Sequence, residues 1–219
     1  MNMIEKVLVI LMGVIGVGKS TVLASMPDCY RRHIEPVEAN PWLSAFGAEL
    51  KMVHEFRKIG RTAQLSISPW MEFFLQGLWK NTLEEAFAES NLVISDFVPP
   101  GVYARNLFVS GDITQLDYDA FLEVEKATQF RDARVITIWL DNTQLAWQNK
   151  IDRNRDCEKD LPYEYFQGLR DSISVQVDGH NSVYRLDWPK GGNLGAVEAI
   201  LEKEGLPGGV KPLKIKKGA

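Results

Sequence analysis

The run Gly13-Val14-Ile15-Gly16-Val17-Gly18-Lys19-Ser20-Thr21 places three glycines, a lysine and two hydroxyls directly behind an apolar stretch. Its pattern, Gly-x-x-x-x-Gly-Lys-Ser, is that of a phosphate-binding loop. In such a loop successive backbone N–H groups line a concave nest, and the helix that follows adds positive potential. The spacing assigns Lys19 to the β- and γ-phosphates of ATP and Ser20 to Mg2+, with the residues from Gly13 to Thr21 as the cradle. The pattern requires a strand before it and a helix after it.

Three further sites carry reactive groups. Glu35 lies in "HIEPVEANPW", and Pro36 biases it away from helix, toward a strand end. There a carboxylate is either a general base facing the ligand crevice or a solvated loop residue. Asp96 ends the apolar run "NLVISDF" and is either a metal-side carboxylate or a turn aspartate. Arg153 and Arg155 alternate in the polar stretch "DRNRDCEKDLP". Their planar forks suit phosphate oxygens, and a loop of this composition is either a lid that closes over a nucleotide or a solvated charged loop.

The elements that must position these groups are legible as alternating patterns. "KVLVILM" is a continuous apolar run, as in a strand buried on both faces. Short strands are expected at "CYRRHIEPV" up to Glu35, at "NLVISDF", at "ARVITIWLD" and at "SVYRLDW". Helical spacing fills the intervals, with a long helix from Ser68-Pro69 to about Ser90, Asn142 or Thr143 capping another, and Gly205 ending the last. Strand and helix alternate throughout, which predicts one α/β domain over residues 1–219, with a parallel five-stranded sheet covered by helices on both faces.

Composition bounds the partners. The 219 residues are 45% hydrophobic and 25% charged, with a net charge of −4. That balance argues against a general nucleic-acid binder. The basic tail, about residues 207–219, reads as a frayed terminus. Two cysteines, Cys29 and Cys157, far apart and without metal-ligand spacing, fit a reduced cytoplasmic chain. The N-terminal apolar run is too short to span a bilayer.

Taken together, "GVIGVGKST", "EPVEANPWLSAF", "LVISDF" and "RNRDCEKDLPYEYF" resemble the deoxynucleoside kinase family, in its order and spacing, over roughly residues 5 to 170. The resemblance implies the family's parallel-sheet fold and ATP-dependent, Mg2+-assisted phosphorylation of a deoxynucleoside 5′-hydroxyl. It makes Glu35 the base on that hydroxyl, and Arg153 and Arg155 the phosphate-holding arginines of a lid at about residues 152–161. Glu158 becomes the reader of the sugar 3′-hydroxyl, and Asp96 the acid of an Asp/Glu-Arg-Ser motif whose arginine is Phe97 here. Trp42, in "NPWL", and Phe74 are carried as substrate-side residues. Where the family has a base-pairing glutamine and an arginine seven residues on, the resemblance places Met71 and Leu78 here. Glu72 and Gln76 are nearby polar candidates for the base edge, while helical spacing sets them away from the Met71/Leu78 face or at its margin. A purine or modified base is the favoured substrate, and the resemblance implies a homodimer through helices around residues 70 to 130. Two rivals stand beside this reading. One is a nucleoside monophosphate kinase, which needs a basic cluster such as Arg57, Lys58 and Arg61. The other is a nucleotide-binding subunit without catalysis.

Overall fold

The computed structural model describes residues 5–35, 43–128, 132–153, 161–178, 180 and 182–209. Strand β1, Val7–Met12, is buried at all six positions. It is hydrogen-bonded on both sides, so its apolar residues need no alternation. The chain then runs through the glycine loop into α1 (Lys19–Ser25), β2 (Arg31–His33), α2 (Leu43–Lys58), α3 (Ser68–Glu89) and β3 (Leu92–Ser95). There follow α4 (Gly101–Val109), α5 (Gln115–Thr128), β4 (Arg134–Asp141), α6 (Thr143–Arg153), α7 (Tyr163–Val177), β5 (Ser182–Asp187) and α8 (Leu194–Lys203).

The five strands form one sheet in the order β2-β3-β1-β4-β5, with every pairing parallel. From β1 the chain goes out to β2, returns to β3, then crosses to β4 on the other side. The change of direction falls at β1, so the crevice outside the carboxyl ends of β1, β3 and β4 is where this topology receives a ligand. The phosphate loop leaves β1 at that end, and Asp96 directly follows β3.

Local sequence explains several boundaries. Pro69 occupies the first turn of α3, where its missing N–H costs nothing. Asn142 caps α6, its Oδ1 accepting from the Leu145 N–H at 2.8 Å. Gly205, at φ 71°, turns the chain after α8. Strand β2 is shorter than its sequence suggests and stops at His33, not Glu35. Its ladder ends at the pair His33 and Ser95, where β3 also ends. Beyond it the Glu35 N–H is taken by a side chain, that of Asp96.

One hydrophobic cluster joins sheet and helices. Helix α3 is unusual in it: Met71, Leu75, Trp79 and Leu83 are buried, and so are Glu72 and Gln76. Helix α3 contacts α4 and α5 as well as β2 and β3, so Glu72 and Gln76 are buried along with its apolar residues. Between Met71 and Lys80 the helix has no exposed residue.

Candidate active site

The phosphate loop is shaped by its glycines and pinned by its valines. Gly16 and Gly18 have φ of 90° and 115°, a region that residues with a Cβ rarely enter. A Cβ on Gly16 would also stand 2.9 Å from the Ala146 carbonyl oxygen and 3.0 Å from Arg153 Nη2. Val14 and Val17 are buried beneath the loop, Ile15 packs on the core from its edge, and Thr21 points outward from the first turn of α1. Lys19 is 8% exposed, and its Nζ donates to the carbonyl oxygens of Gly13 at 2.9 Å and Val14 at 3.4 Å. The ammonium therefore lies across the mouth of the nest, where phosphate oxygens would meet it.

Asp96 ties this loop to the acceptor side. One oxygen, Oδ2, accepts from the Ser20 hydroxyl at 2.7 Å. The other, Oδ1, accepts from the Glu35 backbone N–H at 3.2 Å. Asp96 is 3% exposed, and its own N–H donates to the His33 carbonyl at 3.2 Å. A single carboxylate after β3 thus ties the start of α1 to the chain beyond β2.

Behind Asp96 lies a buried polar layer. His33 is 2% exposed, with Nδ1 2.8 Å from the Ser95 hydroxyl and Nε2 2.7 Å from that of Thr82. Burial lowers its pKa to about 4, so the ring is neutral. Phe97 stacks on it at 5.5 Å and is fully buried. Trp79 donates its Nε1–H to the Phe97 carbonyl at 3.1 Å. Phe97 therefore packs in the core rather than facing a phosphate.

Around Glu35 stand groups from three helices. Glu72 of α3, Tyr103 of α4 and Tyr165 of α7 all interact electrostatically with it. Burial raises both tyrosine hydroxyls well above their ordinary range, and the neighbouring carboxylates push the same way. The Glu72 carboxyl is likewise raised well above the usual range, first by burial and then by Glu35. Tyr103 escaped the sequence reading, because only the fold brings α4 to the end of β2, and Glu72 was a polar candidate that helical spacing set aside. A signal existed for Glu72, a single acid inside the apolar run "PWMEFFLQGLW". Tyr165 lies within "PYEYF", already noted for other reasons.

The remaining expected residues are placed as follows. Arg153 ends α6 with its guanidinium against Gly16, and Asn149, one turn earlier, donates to the Gly16 carbonyl at 2.9 Å. Met71 is in the core, Phe74 is partly buried against it, Leu78 likewise, and Trp70 is 69% exposed. Trp42, Arg155 and Glu158, most of the lid, and the tail from residue 210 lie outside the described residues. Of the basic cluster near the end of α2, Arg57 is engaged by Asp112 at 2.7 Å and by the carbonyls of Ala63, Ser110 and Gly111, and Lys58 pairs with Glu55.

Ser20 and Asp96 offer Mg2+ a hydroxyl and a carboxylate side by side, the hard oxygen donors that this ion prefers. Among the described residues there is no cluster of three His, Cys, Asp or Glu side chains suited to a metal. Mg2+ keeps several waters and phosphate oxygens, so one or two protein ligands suffice. A separate cleft of about 700 Å³ opens beside the ends of β4 and β5, where Asp141 receives both Arg170 and Arg185. Neither Glu35 nor the phosphate loop lines it.

No family model matches the chain. A deoxyguanosine kinase of Dictyostelium discoideum is 24% identical over 207 residues, spanning 90% of this chain and 68% of that one. Among solved structures, a deoxyadenosine kinase from M. mycoides with products dCMP and a flexible dCDP bound superposes with a TM-score of 0.69 at 20% identity, covering 90% of this chain and 98% of that one. The same enzyme with bound dATP gives 0.66 at 18% identity, covering 90% and 99%. The chain is thus similar in sequence, along most of its length, to a deoxyguanosine kinase, and it shares the fold of the deoxyadenosine kinase structures.

Proposed function

We propose that the chain transfers the γ-phosphoryl group of ATP to the 5′-hydroxyl of a deoxynucleoside. The observation that carries this is the shared carboxylate of Asp96, which fixes the phosphate-loop hydroxyl of Ser20 and the backbone of Glu35 in one frame. A donor phosphate in the nest and an acceptor hydroxyl at Glu35 are thereby held at a set distance, which is the main requirement of phosphoryl transfer. The Glu35 carboxylate takes the proton of the acceptor hydroxyl. Lys19 leaves the Gly13 carbonyl for the phosphate oxygens, and the Arg153 guanidinium meets charge on the moving group from the α6 side. Ser20 and Asp96 would hold Mg2+, which neutralises phosphate charge when bound.

The kinase neighbours that bind dATP and dCMP support a deoxynucleoside as acceptor. The engagement of Arg57 argues against a monophosphate acceptor held by that cluster. Homodimerisation fits the exposed apolar side chains Trp70, Val109, Leu116 and Val124, which fall in the region where a dimer contact is expected. No helix among the described residues is long and apolar enough to cross a membrane. A cytoplasmic role in nucleoside salvage belongs to the same reading. The test is a screen of deoxynucleosides, ribonucleosides and nucleoside monophosphates with γ-labelled ATP. Transfer to a deoxynucleoside is expected; transfer to monophosphates only, or ATP binding without transfer, would overturn the reading.

A further inference from the structure

Lys150, on α6, is 6% exposed. A buried ammonium carries a desolvation cost that an apolar side chain of similar length would not. Here the charge has a directional use. Its Nζ donates to the Leu161 carbonyl at 3.1 Å and lies over the Trp147 ring at 4.5 Å. Leu161 is buried and precedes Pro162, which opens α7 without a side-chain cap. The Trp147 ring meets Tyr163 and Phe166 of α7 edge-on, at 5.6 and 5.4 Å. A second fixed point lies farther along α7, where Arg170 donates to the two oxygens of Asp141 at 2.8 and 3.0 Å. Tyr165, in the surroundings of Glu35, falls between these two points. On the donor side, Asn149 of the same α6 holds the Gly16 carbonyl at 2.9 Å, and Arg153 stands against that glycine.

We infer that Lys150 is a positioning residue: it fixes the start of α7 against α6, so that the phosphate loop and the Tyr165 side of the acceptor site keep one spacing. This rests on the phosphoryl-transfer reading above. The apolar packing of Trp147 holds the two helices together but lets them slide, because it is not directional. The ammonium–carbonyl bond is directional and sets the register. Without it α7 pivots about Arg170. Tyr165 lies five residues from that pivot, about 7.5 Å along the helix, so a tilt of about 8° moves it by about 1 Å. A misplacement of that size lowers a transfer rate by about 100-fold. Water then competes with the acceptor hydroxyl for the γ-phosphoryl group. The bond from that phosphorus to the ADP oxygen breaks as before, but the new bond is to water, and Glu35 takes the proton of water in place of the hydroxyl proton. The products are ADP and inorganic phosphate instead of ADP and a deoxynucleoside monophosphate.

The experiment compares the parent with Lys150→Met and Lys150→Arg, using the best deoxynucleoside from the screen and γ-labelled ATP, at a temperature where the parent is fully folded. Labelled monophosphate and labelled inorganic phosphate are counted separately. The parent should form the monophosphate with little free phosphate. Lys150→Met should lose kcat by about 10- to 100-fold and release free phosphate in a larger share of its turnovers. ATP and the nucleoside, each titrated alone, should bind it within about 3-fold of the parent, because the loss lies in the transfer step. Lys150→Arg keeps both a donor and a cation over Trp147, and should hold the product ratio of the parent. A Met variant with the kcat and product ratio of the parent overturns the assignment of Lys150 alone. So does an Arg variant that behaves like the Met variant, or a loss that lies wholly in substrate affinity. A Met variant that does not fold also overturns it, since the charge then serves stability. A parent that transfers to no deoxynucleoside overturns the functional reading and this inference together.

Discussion

Glu35 is the residue whose loss should separate catalysis from binding. Its backbone is held by Asp96 whatever its side chain, so Glu35→Gln keeps the local frame and removes only the proton acceptor. The expected result is a kcat lower by about 10²- to 10⁴-fold with ATP affinity little changed. Steady-state rates beside ATP titration of both proteins check it, and an unchanged kcat would move the base elsewhere. Lys19, Ser20, Asp96 and Glu35 are legible in the chain because each is fixed by local rules: a loop pattern, or a polar residue at the end of an apolar run. Glu72 and Tyr103 are not legible in that way. A lone acid in a helix reads as solvent-facing unless the helix is known to be covered on every side. A tyrosine in α4 shows its relation to Glu35 only after the chain has crossed the sheet.

His33 joins three elements, since its two ring nitrogens reach Ser95 of β3 and Thr82 of α3 from the end of β2. Its folded pKa of about 4 lies below the ordinary 6.5. Between those values the unfolded chain binds a proton that the folded chain does not, so stability rises with pH there. The contribution is fully present above about pH 6.5 and is lost as pH falls toward 4, on the order of 3 kcal/mol in all. Urea midpoints measured from pH 7 to pH 4.5 should therefore fall more steeply for the parent than for His33→Gln. Parallel curves would show that His33 is not the titrating group. The order of strands and helices was readable from apolar runs and caps. The extent of β2 was not, because an edge strand ends where its neighbour ends, and the sequence of β2 carries no mark of Ser95. The order of strands within the sheet depends on pairings between residues as far apart as Val7 and Arg134, which local pattern does not encode.

For the molecule as a whole, the tie between distant parts falls on few contacts. Arg57, at the end of α2, reaches the α4–α5 turn and binds Asp112, which is 1% exposed, together with three carbonyls. Arg57→Ala would remove the guanidinium that pairs with that buried carboxylate. A loss of about 3 kcal/mol in urea unfolding is expected, with kcat per folded molecule retained. A variant with full stability but impaired turnover would place Arg57 at the acceptor site instead. Helix α6 makes a second such tie. Its cap residue Asn142 donates to the Trp188 carbonyl at 2.7 Å, Asn149 grips the Gly16 carbonyl, and Arg153 rests on the same loop. A nucleotide seated in the nest would thus be clasped from α6, a hold that the contacts described for the Glu35 side do not match. The two products should leave in sequence, phosphorylated acceptor first and ADP last. ADP should then inhibit competitively against ATP and non-competitively against the nucleoside, and Asn149→Ala should speed ADP dissociation in stopped-flow more than it changes the transfer step.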